Sequence, residues 1–192
     1  AGLPAEEVFG VNLQRLGAGP ACSIAGFHDS RGNPWIGKTD DIAEDELGSN
    51  ILRQIVPAKG PRALALHFAG TLWTSAGVND RGFCLAMTGL DDGPGPERGL
   101  PAMLLLHVAV DRCATAAEAV EFFGRFELDY GGISLLLADP SGALQLLEKN
   151  THGQCARSLG GPDTVLCHTN HACLGPLQDP PAFAGTPLGK NS

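Results

Sequence analysis

The amino-acid sequence predicts an α+β fold in which helices cover a mainly antiparallel sheet. The chain has 192 residues, of which 43% are apolar, and this is enough to fill the core of one domain. Its extended apolar segments fall into two groups, one before and one after a central helical region. That order of strands, helices and strands is typical of α+β folds rather than of parallel doubly wound folds.

The N-terminal part predicts a short helix followed by a β-hairpin. Residues 6–16 carry a partial apolar helical face, and the Gly/Pro cluster at 17–20 ends this segment. Residues 21–27 then form an apolar strand, residues 29–34 supply turn-forming side chains, and residues 35–42 form the returning strand.

A second hairpin is predicted after a polar, acidic stretch at 40–50. Residues 63–69 alternate between small and large apolar side chains, as a strand does. The segment 79–82 (Asn-Asp-Arg-Gly) has turn composition and precedes the apolar residues 83–87. The Gly- and Pro-rich residues 91–96 are predicted to form a loop.

The central region, residues 100–126, predicts two consecutive helices. Thr115 followed three residues later by Glu118 is the capping-box pattern, which places the start of the second helix there. Apolar residues recur at helical spacing on both sides of this point.

The chain then returns to strands. Strands are predicted at residues 133–138, 143–148, 154–159 and 164–168, with turn chemistry between the first two. The Pro-rich residues 174–192 are predicted to form a loop or tail.

Composition excludes several classes of function. With 21 acidic and 13 basic side chains the net charge is −8, and no basic cluster is present to neutralise phosphates, so we expect no nucleic-acid partner. No apolar run approaches the roughly 20 residues that span a bilayer, so we expect no membrane partner. No signal peptide is visible, which favours a cytoplasmic location.

Six cysteines are present, but a disulfide framework is not expected in a chain long enough to form a core. Most of them fall in apolar or helical patterns, where a cysteine usually packs as a small apolar residue. Cys22 differs, because it begins a predicted strand directly after a breaker-rich connection.

Cys22 could act as a nucleophile if the bond to Ala21 were cut. Cleavage would give Cys22 a free α-amine, whose pKa of about 7.7–8.0 allows it to take the proton of the thiol near neutral pH. One residue would then supply both nucleophile and base. The alternative interpretation is an ordinary strand cysteine.

Polar residues elsewhere could complete such a site. The hairpin that starts at Cys22 ends at Asp40 and Asp41, only one of which can face the thiol because strand residues alternate. Asn79 lies at a hairpin turn, and a side-chain amide within residues 168–171, such as that of Asn170, could stabilise an oxyanion, a role whose loss typically costs about 100- to 1000-fold in rate. The ordinary interpretations are solvated acidic residues and a turn-forming asparagine.

Five motifs together resemble the acyl-coenzyme A:6-aminopenicillanate (isopenicillin N) acyltransferase family. These motifs are residues 22–25 (Cys-Ser-Ile-Ala), 37–42 (Gly-Lys-Thr-Asp-Asp-Ile), 77–83 (Gly-Val-Asn-Asp-Arg-Gly-Phe), 135–142 (Leu-Leu-Leu-Ala-Asp before Ser-Gly) and 167–171 (Cys-His-Thr-Asn-His). The family belongs to the cysteine N-terminal nucleophile hydrolases and is related to the choloylglycine hydrolases and acid ceramidases. Residues 6–15 also resemble the helix that precedes the processing cysteine in such precursors.

The resemblance implies an αββα sandwich whose precursor cuts itself between Ala21 and Cys22. Cys22 would be the nucleophile and its freed amine the base. Asp41 matches the orienting carboxylate if the turn at residues 29–33 holds one extra residue, and Asp40 is the alternative. In the same comparison Asn79 matches the oxyanion-site asparagine of the choloylglycine relatives, and Asn170 matches the asparagine of the family's His-Thr-Asn-His motif. Both would stabilise the oxyanion.

The sequence departs from the family at two positions near the cysteine. Lys38-Thr39 stands where the family commonly has Arg-Asn, and Ala21 stands where it has Gly. The resemblance also implies a leader at residues 1–21 and an N-terminal nucleophile hydrolase domain at 22–192. We expect this domain to be incomplete at its C-terminal end and the precursor to hold a further segment.

The implied activity is that of a self-processing cysteine amidohydrolase or acyltransferase. The substrate would be a small amide, such as a penicillin, an N-acyl amino acid or a peptide amide, with acyl-coenzyme A as a candidate acyl donor. The scheme requires neither a metal nor an organic cofactor.

Two other functions remain open from the sequence. Cys167, His168, His171 and Cys173 are residue types that bind zinc, although no second pair of ligands follows at the usual spacing. The chain could also be a non-catalytic relative that keeps the fold and acts as a ligand-binding or interaction module.

Overall fold

The computed structural model describes residues 22–41, 44, 48–94, 98–160 and 165–177, which form ten strands and two α-helices. The strands are β1 (Cys22–His28), β2 (Pro34–Asp40), β3 (Asn50–Ile55), β4 (Ala63–Phe68), β5 (Ala76–Asn79), β6 (Cys84–Pro94), β7 (Tyr130–Ala138), β8 (Leu144–Asn150), β9 (Gly153–Ser158) and β10 (Leu166–His168). The helices are α1 (Ala102–Arg112) and α2 (Ala116–Gly124), and a 3₁₀ turn covers Gly175–Leu177.

The strands form two sheets. Strands β3 to β9 make a seven-stranded sheet in chain order, and β10, β1 and β2 make a three-stranded sheet. Every pairing between named strands in the described residues is antiparallel. The predicted antiparallel α+β fold is therefore confirmed.

The middle of the larger sheet is covered on both faces. On one face Leu135 and Leu137 of β7 pack in a core shared with the two helices. On the other face Leu136 and Ala138 pack with Ile24 of the smaller sheet. Because successive strand residues point to opposite faces, this double burial explains why residues 135–138 of β7 are all apolar. The described layers are helix, sheet and sheet.

A glycine allows the smaller sheet to lie close to the larger one. A Cβ at Gly26 would come within 3.1 Å of Leu136 and 3.2 Å of Leu144. Since Cys22, Ile24 and Gly26 occupy alternate positions of β1, they share the face that lies against the larger sheet.

The predicted pair of helices is confirmed. Thr115 Oγ1 accepts a hydrogen bond from the backbone N–H of Glu118 over 3.1 Å, and the Glu118 carboxylate accepts one from Ala114 over 2.7 Å. The Thr115 half of the predicted capping box therefore forms, whereas Glu118 reaches the N–H one residue before the N-cap. Neither α1 nor α2 combines the length and apolar character that a membrane-crossing helix needs.

The structure differs from the sequence predictions at two strands. Strand β3 was not predicted, because it is an exposed edge strand whose side chains do not alternate clearly between apolar and polar. The predicted loop at 91–96 was wrong for residues 91–94, which continue β6. Pairing with β7 is irregular between Leu90 and Pro94, which allows a proline to lie in the strand.

Some expectations concern residues outside those described. They include the helix at 6–16, Ala21 and most of the C-terminal tail. The first described residue is Cys22.

Candidate active site

Cys22 lies opposite Asp40 in the hairpin formed by β1 and β2. The two residues are partners in register, so both side chains lie on the same face of the smaller sheet. The Sγ–H of Cys22 donates to Oδ1 of Asp40 over 3.4 Å. Cys22 is half-buried.

Lys38 fixes the position of the Asp40 carboxylate. The two residues are two positions apart on β2 and therefore share a face. Lys38 Nζ lies 2.7 Å from Asp40 Oδ1, and the two side chains are only 5% and 17% exposed. Lys38 Nζ also donates to the carbonyl oxygen of Met87 over 2.6 Å, which ties the pair to β6 of the larger sheet.

The pKa of the Cys22 thiol is raised above its ordinary value. Burial is the largest cause, the positive charge of Lys38 lowers the pKa, and the negative charge of Asp40 raises it. The thiol is therefore protonated near neutral pH and needs a base before it can attack a carbonyl group.

The side chain of Asn170 is hydrogen-bonded to the backbone nitrogen of Cys22. Pairing of β1 with β10 puts Ile24 opposite His168, and the chain beyond β10 brings Asn170 to the start of β1. Its Oδ1 accepts a hydrogen bond from the Cys22 nitrogen over 2.8 Å, and its Nδ2 donates to the Gly89 carbonyl over 2.8 Å. The carboxamide thus bridges Cys22 to β6.

The structure places Asp40, and not Asp41, beside the thiol. The turn pairs His28 with Pro34, and counting from there sets Cys22 opposite Asp40. Asp41 is exposed and lies one residue beyond the end of β2. The extra turn residue that the Asp41 assignment needs is absent from this described hairpin.

Asn79 is not brought to Cys22. It lies on β5, 4% exposed, and its Nδ2 donates to the carbonyls of Val110 and Cys113 at 2.8 Å each. Its Oδ1 accepts from the backbone N–H groups of Arg81 and Phe83. Asn79 therefore closes its own turn and holds the end of α1, which agrees with the ordinary interpretation of a turn residue.

A row of polar residues that the sequence analysis missed lies near this site. Thr88, Ser134 and Glu148 are fully buried and are register partners across β6, β7 and β8. The only sequence signal was a glutamate at the end of the predicted strand 143–148, where an acidic residue is ordinarily solvated. That signal does not reveal its neighbours, because strand pairing is a long-range property.

The four candidate zinc ligands do not converge. Cys167 is exposed and His168 is buried, since they are successive residues of β10 that point to opposite faces. A different set, Glu148, His168 and Cys173, has possible ligand atoms within 4.8 Å of one another. However, His168 Nε2 lies 2.7 Å from Glu148 Oε1, so these two groups already use each other in a hydrogen bond.

Sequence comparisons give no match to any protein-family model or to any curated protein. Comparison with solved structures does give matches. The structure of a Caenorhabditis elegans N-acylethanolamine-hydrolyzing acid amidase ortholog matches with a TM-score of 0.63 at 16% identity, over 78% of this chain and 70% of that one.

Two bacterial structures are also similar. Penicillin V acylase from Agrobacterium tumefaciens has a TM-score of 0.52 at 18% identity, over 71% of this chain and 49% of that one. A variant of conjugated bile acid hydrolase from Clostridium perfringens has a TM-score of 0.51 at 11% identity, over 76% of this chain and 52% of that one. This chain thus spans about half the length of each bacterial protein. The two-sheet architecture with helices on the larger sheet is the fold of the N-terminal nucleophile hydrolases.

Proposed function

We propose that this protein is a self-processing cysteine amidohydrolase or acyltransferase, with Cys22 as its nucleophile. The observation that carries the proposal is a pair of hydrogen bonds made by Cys22. Its nitrogen bonds to the Asn170 carboxamide and its sulfur to the Asp40 carboxylate. Nitrogen and sulfur of one residue are the two atoms that an N-terminal nucleophile uses.

The similar structures support an amide bond as the target. Their descriptions are of an acid amidase that hydrolyses N-acylethanolamines, a penicillin V acylase and a conjugated bile acid hydrolase. The two bacterial proteins also support the broader part of the sequence resemblance, that to the choloylglycine hydrolases. Transfer of the acyl group to an amine is the finer part of the proposal.

Self-processing would begin at the bond before Cys22. The Cys22 sulfur attacks the carbonyl carbon of Ala21, a C–S bond forms, and the C–N bond breaks as the nitrogen takes a proton. Water then hydrolyses the thioester, which releases the leader as a carboxylic acid and restores the thiol. Cys22 is left with a free α-amine.

The mature residue would then act on the substrate. The α-amine takes the thiol proton, and the thiolate attacks the acyl carbonyl to give a tetrahedral oxyanion. The α-ammonium returns its proton to the leaving amine as the C–N bond breaks. Water or an acceptor amine attacks the thioester and regenerates the thiol.

Three described side chains have roles in this scheme. Asn170 holds the Cys22 nitrogen through Oδ1, and its Nδ2 has a second N–H that can donate to the oxyanion. Asp40 orients the Cys22 side chain, and Lys38 holds Asp40. The pKa of the thiol lies above its ordinary value, so each attack needs a proton acceptor. In the uncut chain this would be the Asp40 carboxylate, which accepts the Sγ–H hydrogen bond, and after processing it would be the α-amine.

The intact mass and N-terminal residue of freshly made protein test the proposal. We expect a mature chain that begins at Cys22. Cys22→Ala should abolish both cleavage and turnover, and Cys22→Ser should retain slow cleavage. Cys84→Ala is a matched control, because Cys84 is also half-buried with a thiol pKa raised by burial, and it should process as the wild type does.

Turnover should then be measured with penicillin V, N-acyl amino acids and N-acylethanolamines, with water or an amine as acceptor. Acyl-coenzyme A should be tested as an alternative donor. A chain that stays intact and binds such amides without consuming them would instead support the non-catalytic module. Full activity of Cys22→Ala would overturn the scheme.

A further inference from the structure

A polar row crosses a mainly apolar face of the larger sheet. Thr88, Ser134 and Glu148 are consecutive register partners on β6, β7 and β8, and each is fully buried. Their neighbours on the same face are apolar residues such as Leu136 and Leu146. Burial of polar groups is unfavourable for folding unless they are hydrogen-bonded. The hydrogen-bond partners of these three side chains therefore show which part of the chain they fix in place.

All three residues contact the chain around Asn170. We call residues 168–174 the Asn170 segment. Thr88 Oγ1 donates to the carbonyl oxygen of Thr169 over 2.6 Å, and Ser134 Oγ lies 3.4 Å from Nε2 of His168.

Glu148 holds the same segment on both sides of Asn170. Before Asn170, Glu148 Oε1 lies 2.7 Å from His168 Nε2. After it, the backbone N–H of Cys173 donates to both carboxylate oxygens over 2.8 and 3.0 Å, and that of Leu174 donates to Oε2 over 2.8 Å. One buried carboxylate therefore closes the segment as a loop with Asn170 inside it.

The hydrogen bonds also favour the ionised form of Glu148. His168 Nδ1 lies 2.8 Å from the carbonyl oxygen of Thr169, and a carbonyl can only accept, so Nδ1 carries a proton. Nε2 faces a Glu148 oxygen, and two backbone N–H groups donate to that carboxylate, which favours its ionised form.

We infer that Glu148, paired with His168, is a positioning residue that holds the Asn170 carboxamide against the Cys22 nitrogen. The inference rests on the proposed function of Cys22. No described contact joins Glu148 to Cys22 itself. Its effect passes through the Asn170 segment, whose two ends it fixes on the larger sheet.

The first arm of the test does not depend on catalysis. In a Cys22→Ala background the chain stays uncut, so the nitrogen at position 22 keeps its amide hydrogen. Adding Glu148→Gln should speed the residue-resolved hydrogen exchange of this amide, and of the amides of Cys173 and Leu174, by about tenfold or more, the size expected when hydrogen bonds to a charged acceptor are weakened.

Leu147→Val is the matched control. Leu147 is the preceding residue of β8 but packs in the core on the helix side, so its truncation perturbs the same strand without touching the Asn170 segment. It should leave exchange at position 22 unchanged. If Glu148→Gln does not fold, Thr88→Val removes the bond to Thr169 and should speed the same exchange to a smaller extent.

The second arm uses the native Cys22. Glu148→Gln should slow self-cleavage and lower kcat by about 10- to 100-fold with little change in KM. A misplaced group raises the free energy of the transition state but leaves substrate binding almost unchanged. Unchanged exchange at position 22 would overturn the inference. So would faster exchange with a wild-type rate of processing.

The two arms separate this inference from the proposed function. If the wild type neither cuts itself nor turns over amides, the proposed function fails. The position of Asn170 is still decided by the exchange at residue 22.

Discussion

At the scale of single residues, one carboxylate oxygen organises the site. Asp40 Oδ1 accepts both from Lys38 Nζ at 2.7 Å and from Cys22 Sγ at 3.4 Å. Lys38 is itself fixed to β6 through the Met87 carbonyl. The carboxylate can therefore hold the thiol only because the lysine holds the carboxylate.

Replacement of Asp40 should be far more harmful than replacement of Asp41. We expect Asp40→Asn to slow self-cleavage and turnover by about 100-fold, the scale of a misplaced reacting group. Asp41→Asn is the control and should process at the wild-type rate, because Asp41 is exposed beyond β2. Mass spectrometry of the cleavage time course measures both rates. Equal rates for the two variants would show that Asp40 has no role in the reaction.

The same variant should change thiol reactivity in the opposite direction. Asp40 raises the pKa of the Cys22 thiol, so Asp40→Asn should increase the thiolate fraction at a given pH. Alkylation of the Cys22 peptide by iodoacetamide at pH 8 should therefore be faster in Asp40→Asn than in Asp41→Asn. Slower cleavage together with faster alkylation would show that the loss of cleavage comes from misorientation of the thiol and not from a change in its pKa.

At the scale of elements, local signals predicted the hairpins and the helix pair, but not the register in which the strands pair. The capping residues Thr115 and Glu118 act within one turn, so the sequence shows them directly. The choice between Asp40 and Asp41 depends on the turn after β1. There the Asp29 carboxylate accepts from the backbone N–H groups of Arg31 and Asn33 and sets the pairing. A difference of one residue in that turn reverses which carboxylate faces Cys22.

Long-range contacts explain the remaining differences. Asn170 was predicted as a site residue, and the structure brings it to Cys22 because β10 pairs with β1. Glu148 was not predicted, since its partners lie on β7 and in the Asn170 segment, distant in sequence. Asn79 has the motif of an oxyanion residue, yet every polar atom of its side chain is used to fix a turn and a helix end.

The hydrogen bonds between Glu148 of β8 and the Asn170 segment should make the free energy of unfolding depend on pH. Burial raises the pKa of Glu148, but hydrogen bonds from His168 and from the backbone of Cys173 and Leu174 lower it, and the net shift is downward. The carboxylate therefore contributes stability that is fully present above the ordinary glutamate pKa of about 4.3 and is lost as the pH falls through the lowered value.

Glu148→Gln should remove this dependence. At pH 7 we expect the variant to be less stable by about 3 kcal/mol, the order expected when hydrogen bonds to a buried charged acceptor are weakened, and the difference from the wild type should shrink as the pH falls towards 3. Urea unfolding at several pH values measures it. The exposed Glu121→Gln on α2 is the control and should follow the wild-type curve; a pH-independent difference for Glu148→Gln would contradict the assignment.

At the scale of the whole molecule, the site depends on how two sheets pack. Cys22 and Asp40 belong to the smaller sheet, whereas the groups that fix them, the Met87 and Gly89 carbonyls, belong to β6 of the larger sheet. The core between the sheets, around Leu136 and Ile24, therefore sets the distance between the two halves of the site. The helix-side core does not lie between them.

Two neighbouring leucines of β7 can separate these roles. Leu136 packs between the sheets and Leu135 packs against the helices, and both are fully buried. Leu136→Ala and Leu135→Ala should each lower the free energy of unfolding by about 2–5 kcal/mol. At a temperature where both variants remain folded, only Leu136→Ala should also slow self-cleavage, because only that cavity lets β1 shift against β6. Urea unfolding and the cleavage time course measure the two effects, with the milder Leu→Val pair for use if either alanine variant does not fold. An equal loss of cleavage rate in both would mean that the site responds to global stability and not to the packing of one sheet on the other.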